Sequence, residues 1–418
     1  MRASFSGGSL EGSVHPPASK SHTHRAFFLA AMADGTSRIS NALLSEDTKA
    51  TLAASEAMGA RVDRDSTKVI TITGGDLHAP DGIVNALNSG TTMRIFSGLV
   101  SMFDKEVTIT GDASLQKRPM GPLLDALSQT GTICTSNDNK PPVTIKGPNK
   151  GGKISIDGSV SSQFITSLLL VSPNLPNDSE ITIEGNTVSG PYLDVTTHMM
   201  KLFGADVTKN CNIFKVKGNS GYRPHDYSVP ADFSSAAFPL VAGALGGRVA
   251  VTGMDLSDPQ GDKVIVDILR DAGASVTVNG DSVTVSKAPL KALEIDIGDV
   301  PDLFPILAVL LSTAEGTSRL YGAPQLRFKE SDRIRTTETM LRAIGADITG
   351  TDDGCIINGK KRLKGGHIEN ECDHRIMMAA AIASLVSDSP VTMENAECYA
   401  VSYPEFIIQM KTLGMKVE

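Results

Sequence analysis

The chain is defined first by what it lacks. No apolar run approaches the ~18–20 residues of a membrane span. The start, Met1 to Pro17, is polar and rich in Gly and Ser, with no signal-peptide core. The five cysteines, Cys134, Cys211, Cys355, Cys372 and Cys398, are scattered, odd in number and form no C-x-x-C. A reduced, cytoplasmic protein without structural metal is therefore expected. Positive charge is not in excess: 39 Lys and Arg stand against 47 Asp and Glu, a net charge of −8. That balance argues against a nucleic-acid binder and confines any anion site to a local cationic pocket. There is no G-x-S-x-G, no P-loop lysine and no His/Cys/Asp cluster at metal-ligand spacing. His22 and His24 stand two apart without a third ligand.

What is present is a repeat. With 418 residues, 40% hydrophobic and 21% charged, the chain has the composition of a soluble globular protein and the length for two domains. Six times an apolar helix begins at a polar cluster: Lys20–Arg25, Asn88–Thr91, Ser161–Gln163, Asp232–Ser235, Val300–Asp302 and Asp373–Arg375. A β-type run follows, then an amphipathic helix ending at Gly59, Gly131, Gly204, Gly273, Gly345 or Gly414. The spacing, roughly seventy residues, marks a repeat architecture. The units run approximately 20–87, 88–157, 158–229, 232–301, 302–372 and 373–418. Each reads as βαβαββ, giving an α/β protein. Segments such as Phe304 to Ser312 are nearly all apolar and should be buried, whereas second helices such as Lys263 to Ala272 should lie outside. The sixth unit is short, so the piece Met1 to His15 is expected to complete it. This gives a discontinuous three-repeat domain, residues 1–15 and 230–418, and an inserted three-repeat domain, residues 16–229. Chain crossovers are expected near Pro16-Pro17 and Tyr227–Ala231, making a hinge with an active site in the cleft between the domains.

Helix N-termini favour anions, and these six carry Lys, Arg, Ser and Asp, which suggests one large anion-handling site. Lys20-Ser21-His22-Thr23-His24-Arg25 opens a helix whose continuation, Ala26 to Met32, is apolar, so its cations cannot all point to open water. The turn Asn88-Ser89-Gly90-Thr91-Thr92-Met93-Arg94 could cradle a phosphate or carboxylate, or serve simply as a cap. Ser161-Ser162-Gln163 reads the same way, and Arg118 reads by default as a surface residue. Leu326-Arg327-Phe328-Lys329-Glu330-Ser331-Asp332-Arg333 crowds three cations and carboxylates onto a loop before a helix, as a site or a surface ion-pair run. Arg375, before Ile376-Met377-Met378, needs an anionic partner.

The phrases PASKSHTHR, NSGTTMR, KRPMGPLLDAL, DGSVSSQF, VSGPYLD, LRFKESDR and DHRIMM resemble those of the 5-enolpyruvylshikimate-3-phosphate synthase (EPSP synthase) family over essentially the entire chain. The resemblance implies a two-domain inside-out α/β barrel of six βαβαββ-like repeats, three per domain. It implies enolpyruvyl transfer from phosphoenolpyruvate to the 5-hydroxyl of shikimate 3-phosphate with release of phosphate, in the shikimate pathway to chorismate and aromatic amino acids. No metal or organic cofactor is implied, the partners are the two small substrates, and a monomer is expected. Carried over residue by residue, Lys20 is a catalytic lysine near both substrates, and Ser21 and Arg25 meet the shikimate carboxylate. Gly90 and Arg118 fall on phosphoenolpyruvate positions. Ser161, Ser162 and Ser189 fall around the shikimate phosphate and ring, with Gln163 between the ligands. Asp302 is the proton acceptor, Gln325 a shikimate contact where the bacterial pattern has Asn, and Lys329 a phosphate contact. Glu330 is the acid that protonates the enolpyruvyl methylene, and Arg333 and Arg375 clamp phosphoenolpyruvate.

Two further positions depart from the bacterial pattern. Cys398-Tyr399-Ala400-Val401 places Val where that pattern has Lys, removing one cation from the phosphoenolpyruvate clamp, and Gly190 replaces a Lys of an S-K-P-Y phrase. The alternatives are a UDP-N-acetylglucosamine enolpyruvyl transferase, whose reactive Cys is missing from Asp112–Met120, and a non-catalytic anion-binding repeat protein. An RNA 3′-phosphate cyclase of related fold finds no nucleotide motif here.

Overall fold

A computed structural model describes residues 1–64 and 69–418; residues 65–68, within the first repeat, lie outside that description. The chain divides into two compact units, Ala18–Val229, here the inserted unit, and Met1–Pro17 with Pro230–Glu418, the flanking unit.

The inserted unit carries α1 (Lys20–Met32), α2 (Glu46–Ala57), α3 (Gly90–Val100), α4 (Gly121–Ser128), α5 (Ser162–Val171) and α6 (Pro191–Leu202). The flanking unit carries α7 (Phe233–Gly246), α8 (Ile265–Asp271), α9 (Phe304–Leu311), α10 (Arg333–Ala343), α11 (His374–Ala383) and α12 (Phe406–Leu413). In each repeat the first helix is buried nearly all round. Every residue of α9 is buried, as is α1 from His22 to Met32. A helix that is apolar on every face must lie inside. The second helices keep one wet face; α10 buries Ile334, Thr337, Met340 and Leu341 while Arg335 and Glu338 bear exposed ion pairs.

Among the described residues, six four-stranded sheets accompany these helices. In the second repeat the order is Ile83–Asn85, Val107–Thr110, Lys140–Lys146, Ile133–Asn137. The first two strands are parallel and joined across α3, because parallel neighbours need a crossover; the last two form an antiparallel hairpin. Strands alternate, so Val107 and Ile109 face inward while Thr108 and Thr110 do not.

The expectation for the N-terminal piece holds only in half. Ala3–Ser6 enters the sixth repeat's sheet between Val391–Met393 and Lys416–Val417, whereas Leu10–Val14 pairs in parallel with Gly247–Val251 and completes the fourth. The first repeat likewise takes its parallel edge strand from Tyr227–Ser228, paired with Ile39–Ser40. Every sheet thereby has the same order, and each unit is closed by a strand distant in sequence.

Candidate active site

The N-termini of the buried helices hold the polar clusters. In the inserted unit, Ser19, Ser89 and Ser161 cap α1, α3 and α5 through their hydroxyls. Lys20, at the first position of α1, donates to Asp47 Oδ2 at 2.9 Å, and both side chains are largely buried. One turn further, Arg25 is buried. It donates to Thr196 Oγ1 (2.9 Å), the Ser21 carbonyl (2.9 Å), the Tyr192 carbonyl (3.2 Å) and Thr166 Oγ1 (3.3 Å). All four acceptors are neutral, and Arg25 forms no ion pair among the described residues. Burial pushes its pKa down to about 10, with Tyr192 and Tyr227 opposing. A guanidinium buried without a counter-ion is a site for an anion.

Gly90 opens α3, and its lack of a side chain has a spatial reason. A Cβ there would lie 3.0 Å from Arg118 Nη1, 3.8 Å from Gln163 Oε1 and 3.9 Å from Arg94 Nη1. Arg118 is buried, contrary to its default reading as a surface residue, and donates from Nη2 to Asn88 Oδ1 at 2.7 Å. It follows a short helical turn, Leu115–Lys117, that directs it back toward α3. Gln163 donates to Thr91 Oγ1 (3.0 Å) and accepts from Arg94 Nη1 (2.8 Å), which also reaches Ser161 Oγ (3.3 Å). Ser162 begins α5 and Ser189 precedes α6 at a φ of 56°; both are buried. The structure therefore gathers Gly90, Arg118, Ser161 and Gln163 into one contact set, while Lys20 and Arg25 stand on α1.

The flanking unit holds an ion network centred on Arg333, whose side chain is only 1% exposed. Its guanidinium meets Asp302 Oδ1 at 2.7 Å, Glu330 Oε2 at 2.6 Å and Asp373 Oδ2 at 3.0 Å. Arg375 Nη2 donates to the other Asp302 oxygen at 2.8 Å and to Ser234 Oγ at 3.0 Å. The elements explain the convergence. Asp302 lies on the helical turn Pro301–Leu303 before α9, Arg333 opens α10, and Asp373 caps α11 by accepting from the Arg375 amide. Burial alone would raise the Asp302 carboxyl; Arg375, Arg333 and Lys329 outweigh it and hold the group well below the ordinary aspartate range, with Glu330 opposing. Burial would likewise raise Asp373, yet Arg333 keeps it below its ordinary value. Glu330 and Asp302 remain part-exposed, at 25% and 20%, so this face of the network is open to a ligand.

Gln325 donates to the Gly298 carbonyl at 2.9 Å, while its buried Oε1 has no hydrogen-bond partner, an acceptor available to a hydroxyl. Lys329 is half-buried on the loop before α10. Arg327, from the same crowded phrase, is turned away. It binds Asp332 and the carbonyls of Thr351 and Asp352. Val401 ends the short helical segment Ala396–Val401 and is half-buried.

Sequence reasoning missed Asp47, and it placed Arg94, Ser234 and Asp373 in helix-start clusters without giving any of them a role. Arg94 lies one turn after Gly90 on the same helix, a spacing that could have marked it. Nothing in the sequence separates Asp47 from an ordinary acidic residue of a first helical turn.

Cations at the N-termini of buried helices, in two α/β units of three repeats each, define an anion-handling enzyme of the inside-out α/β class. The chain belongs to the EPSP synthase family. The family model for EPSP synthase (3-phosphoshikimate 1-carboxyvinyltransferase) matches residues 6–410. A 3-phosphoshikimate 1-carboxyvinyltransferase of Methanocorpusculum labreanum is 49% identical over 417 residues, 99% of each chain. One from Methanocella arvoryzae is 41% identical over 424 residues, 100% of each. An EPSP synthase structure from Acinetobacter baumannii superposes with a TM-score of 0.83 at 31% identity, covering 100% of this chain and 99% of that one.

Proposed function

We propose that this chain catalyses transfer of the enolpyruvyl group of phosphoenolpyruvate to the 5-hydroxyl of shikimate 3-phosphate, releasing phosphate. The observation that carries the reading, beside family membership, is the Arg333 network, which holds a candidate acid and a candidate base on one buried cation.

Two phosphates and two carboxylates arrive with the substrates and need cations. Arg25, Ser21, Ser161, Ser162, Ser189, Asp302, Gln325 and Lys329 receive shikimate 3-phosphate, and Lys20 and Gln163 meet both substrates. Gly90, Arg118, Gln163, Arg333 and Arg375 receive phosphoenolpyruvate. Arg333 and Arg375 are paired with Asp302, Glu330 and Asp373. An arriving phosphoenolpyruvate anion competes for the same guanidinium protons. As Arg333 and Arg375 turn part of their charge to the ligand, Glu330 and Asp302 both lose stabilisation of their carboxylates and gain affinity for a proton. Glu330 then protonates the methylene carbon, and the 5-hydroxyl oxygen attacks the adjacent carbon as its proton passes to Asp302. Return of a methyl proton to the Glu330 carboxylate, with cleavage of the C–O bond to phosphate, then forms the enol ether of the product. The cations stabilise the departing phosphate where it forms.

The test is phosphate release from phosphoenolpyruvate with shikimate 3-phosphate or UDP-N-acetylglucosamine as acceptor. Release with shikimate 3-phosphate alone is expected. Release only with the nucleotide sugar, or ligand binding without turnover, would refute the reading.

A further inference from the structure

Beneath the N-termini of α1, α2 and α3 runs a chain of polar side chains that the proposed chemistry does not use. His24 Nδ1 lies 2.6 Å from Thr51 Oγ1, Thr51 Oγ1 lies 2.7 Å from Thr92 Oγ1, and Thr92 Oγ1 donates to Ser89 Oγ at 2.7 Å. All four residues have no exposed surface. Three helices each contribute a member, and the chain ends on the cap of α3, immediately before Gly90. Ser89 Oγ also accepts from the Thr92 amide at 3.1 Å, so the same oxygen terminates the relay and caps the helix. The Thr92 hydroxyl lies 3.3 Å from the Asp47 carbonyl, and the Asp47 carboxylate holds Lys20.

Proton counting gives the relay a direction. Each threonine hydroxyl has one proton. If Thr92 gives its proton to Ser89, Thr51 gives its own to Thr92, and only the imidazole can donate to Thr51. His24 then carries its proton on Nδ1 and leaves Nε2 as a bare lone pair, and Nε2 is indeed buried without a hydrogen-bond partner. Burial, with Lys20 and Arg25 nearby, holds His24 well below the ordinary histidine pKa, which keeps the ring neutral with a single donor.

We propose that His24 is a positioning residue for the phosphoenolpyruvate half of the site, acting through Thr51 and Thr92 to fix the α3 N-terminus, with Gly90, relative to Lys20 on α1. Short buried hydrogen bonds in series have narrow geometric tolerance. A mispositioning of about 1 Å at a reacting centre costs on the order of 100-fold in rate. Arg25, on the same helix as His24, takes its bonds from Thr166 on α5 and from Thr196 and Tyr192 on α6 and stands outside the relay. The shikimate 3-phosphate contacts of Arg25 are thus independent of His24.

This inference rests on the enolpyruvyl-transfer reading, and its test separates the two. Wild-type turnover is established first; without it the functional reading fails whatever the variants do. Thr51→Val then breaks the relay at its centre with almost no change of shape. His24→Leu removes the donor, and His24→Asn restores an N–H at the Nδ1 position. With an active wild type, T51V and H24L should raise KM for phosphoenolpyruvate about tenfold, a change the size of one net hydrogen bond, while KM for shikimate 3-phosphate stays within twofold. H24N should recover most of the loss. A purely structural role would lower the melting temperature and the active fraction without splitting the two KM values. An unchanged KM for phosphoenolpyruvate in T51V, equal changes for both substrates, or no rescue by H24N would overturn the proposal.

Discussion

Asp373→Asn tests the Arg333 network where the structure makes its strongest claim. The carboxylate is fully buried; it accepts from Arg333 Nε at 3.0 Å, Ser331 Oγ at 2.9 Å and the Arg375 amide at 3.0 Å. Asparagine retains one acceptor oxygen and can still cap α11. Its amide nitrogen, however, would face the Arg333 and Ser331 donors, and the charge opposing a buried guanidinium is gone. Removing one partner of a buried ion pair costs about 3–5 kcal/mol. The retained cap places the expected loss near the lower end, about 3 kcal/mol, or roughly 6–12 °C in the melting transition of a unit of this size. Arg333, with Asp302 and Glu330 still attached, should lose orientation, raising KM for phosphoenolpyruvate by about five- to thirtyfold. The pH dependence adds a signature. The Asp373 pKa is depressed below the ordinary value of 3.8, so its stabilisation is fully present above that value and is lost as pH falls below it. D373N should therefore flatten the acid limb of the stability curve measured by calorimetry. A melting shift under about 2 °C with unchanged kinetics would mean that the network is not interlocked, and the reasoning would fail.

Glu330→Gln keeps the shape and one acceptor toward Arg333 but removes the transferable proton, so kcat measured by phosphate release should fall by about 10²–10⁴. With one negative charge fewer in the cluster, KM for phosphoenolpyruvate should hold or fall. Gly90→Ala places a methyl 3.0 Å from Arg118 Nη1, and such overpacking costs about 1–3 kcal/mol. Steady-state kinetics should show weaker phosphoenolpyruvate, and weaker competition by a phosphonate analogue such as glyphosate, with shikimate 3-phosphate little affected. Val401→Lys should lower KM for phosphoenolpyruvate about tenfold, the worth of one charge-assisted bond near 1.5 kcal/mol. An unchanged or higher value would show that another group already takes the place of the lysine.

The six buried helices were legible because a run such as Phe304 to Leu311 has no polar face to leave outside. Glycine-terminated second helices and the βαβαββ outline followed from the same periodicity. The destinations of Ala3–Ser6 and Leu10–Val14 were not legible. Each pairs with strands more than two hundred residues away, and a short alternating segment does not state its partner. Among the candidate site residues, motif phrases singled out Lys20, Arg25, Glu330, Arg333 and Arg375, and the helix-start cluster Val300–Asp302 offered Asp302, but the bonds among them were not legible. Asp373 reads in sequence as a helix cap, which it is; that its second oxygen holds Arg333, forty residues earlier, exists only in space. Arg118 reads as a surface residue because the turn that folds it back onto Asn88 has no apolar signature. Asp47 was hidden in the same way, behind an ordinary acidic first turn.

The most direct test follows the product of the wild-type reaction in deuterated water by proton NMR while phosphate is counted. Protonation of the phosphoenolpyruvate methylene from a solvent-exchanged Glu330, followed by loss of one of three methyl hydrogens, should leave deuterium in the vinyl group of the enol ether. One phosphate should appear per enol ether formed. Enol ether without vinyl deuterium would contradict the acid role of Glu330. Phosphate without enol ether, or neither product with both substrates present, would contradict the assignment of enolpyruvyl transfer itself.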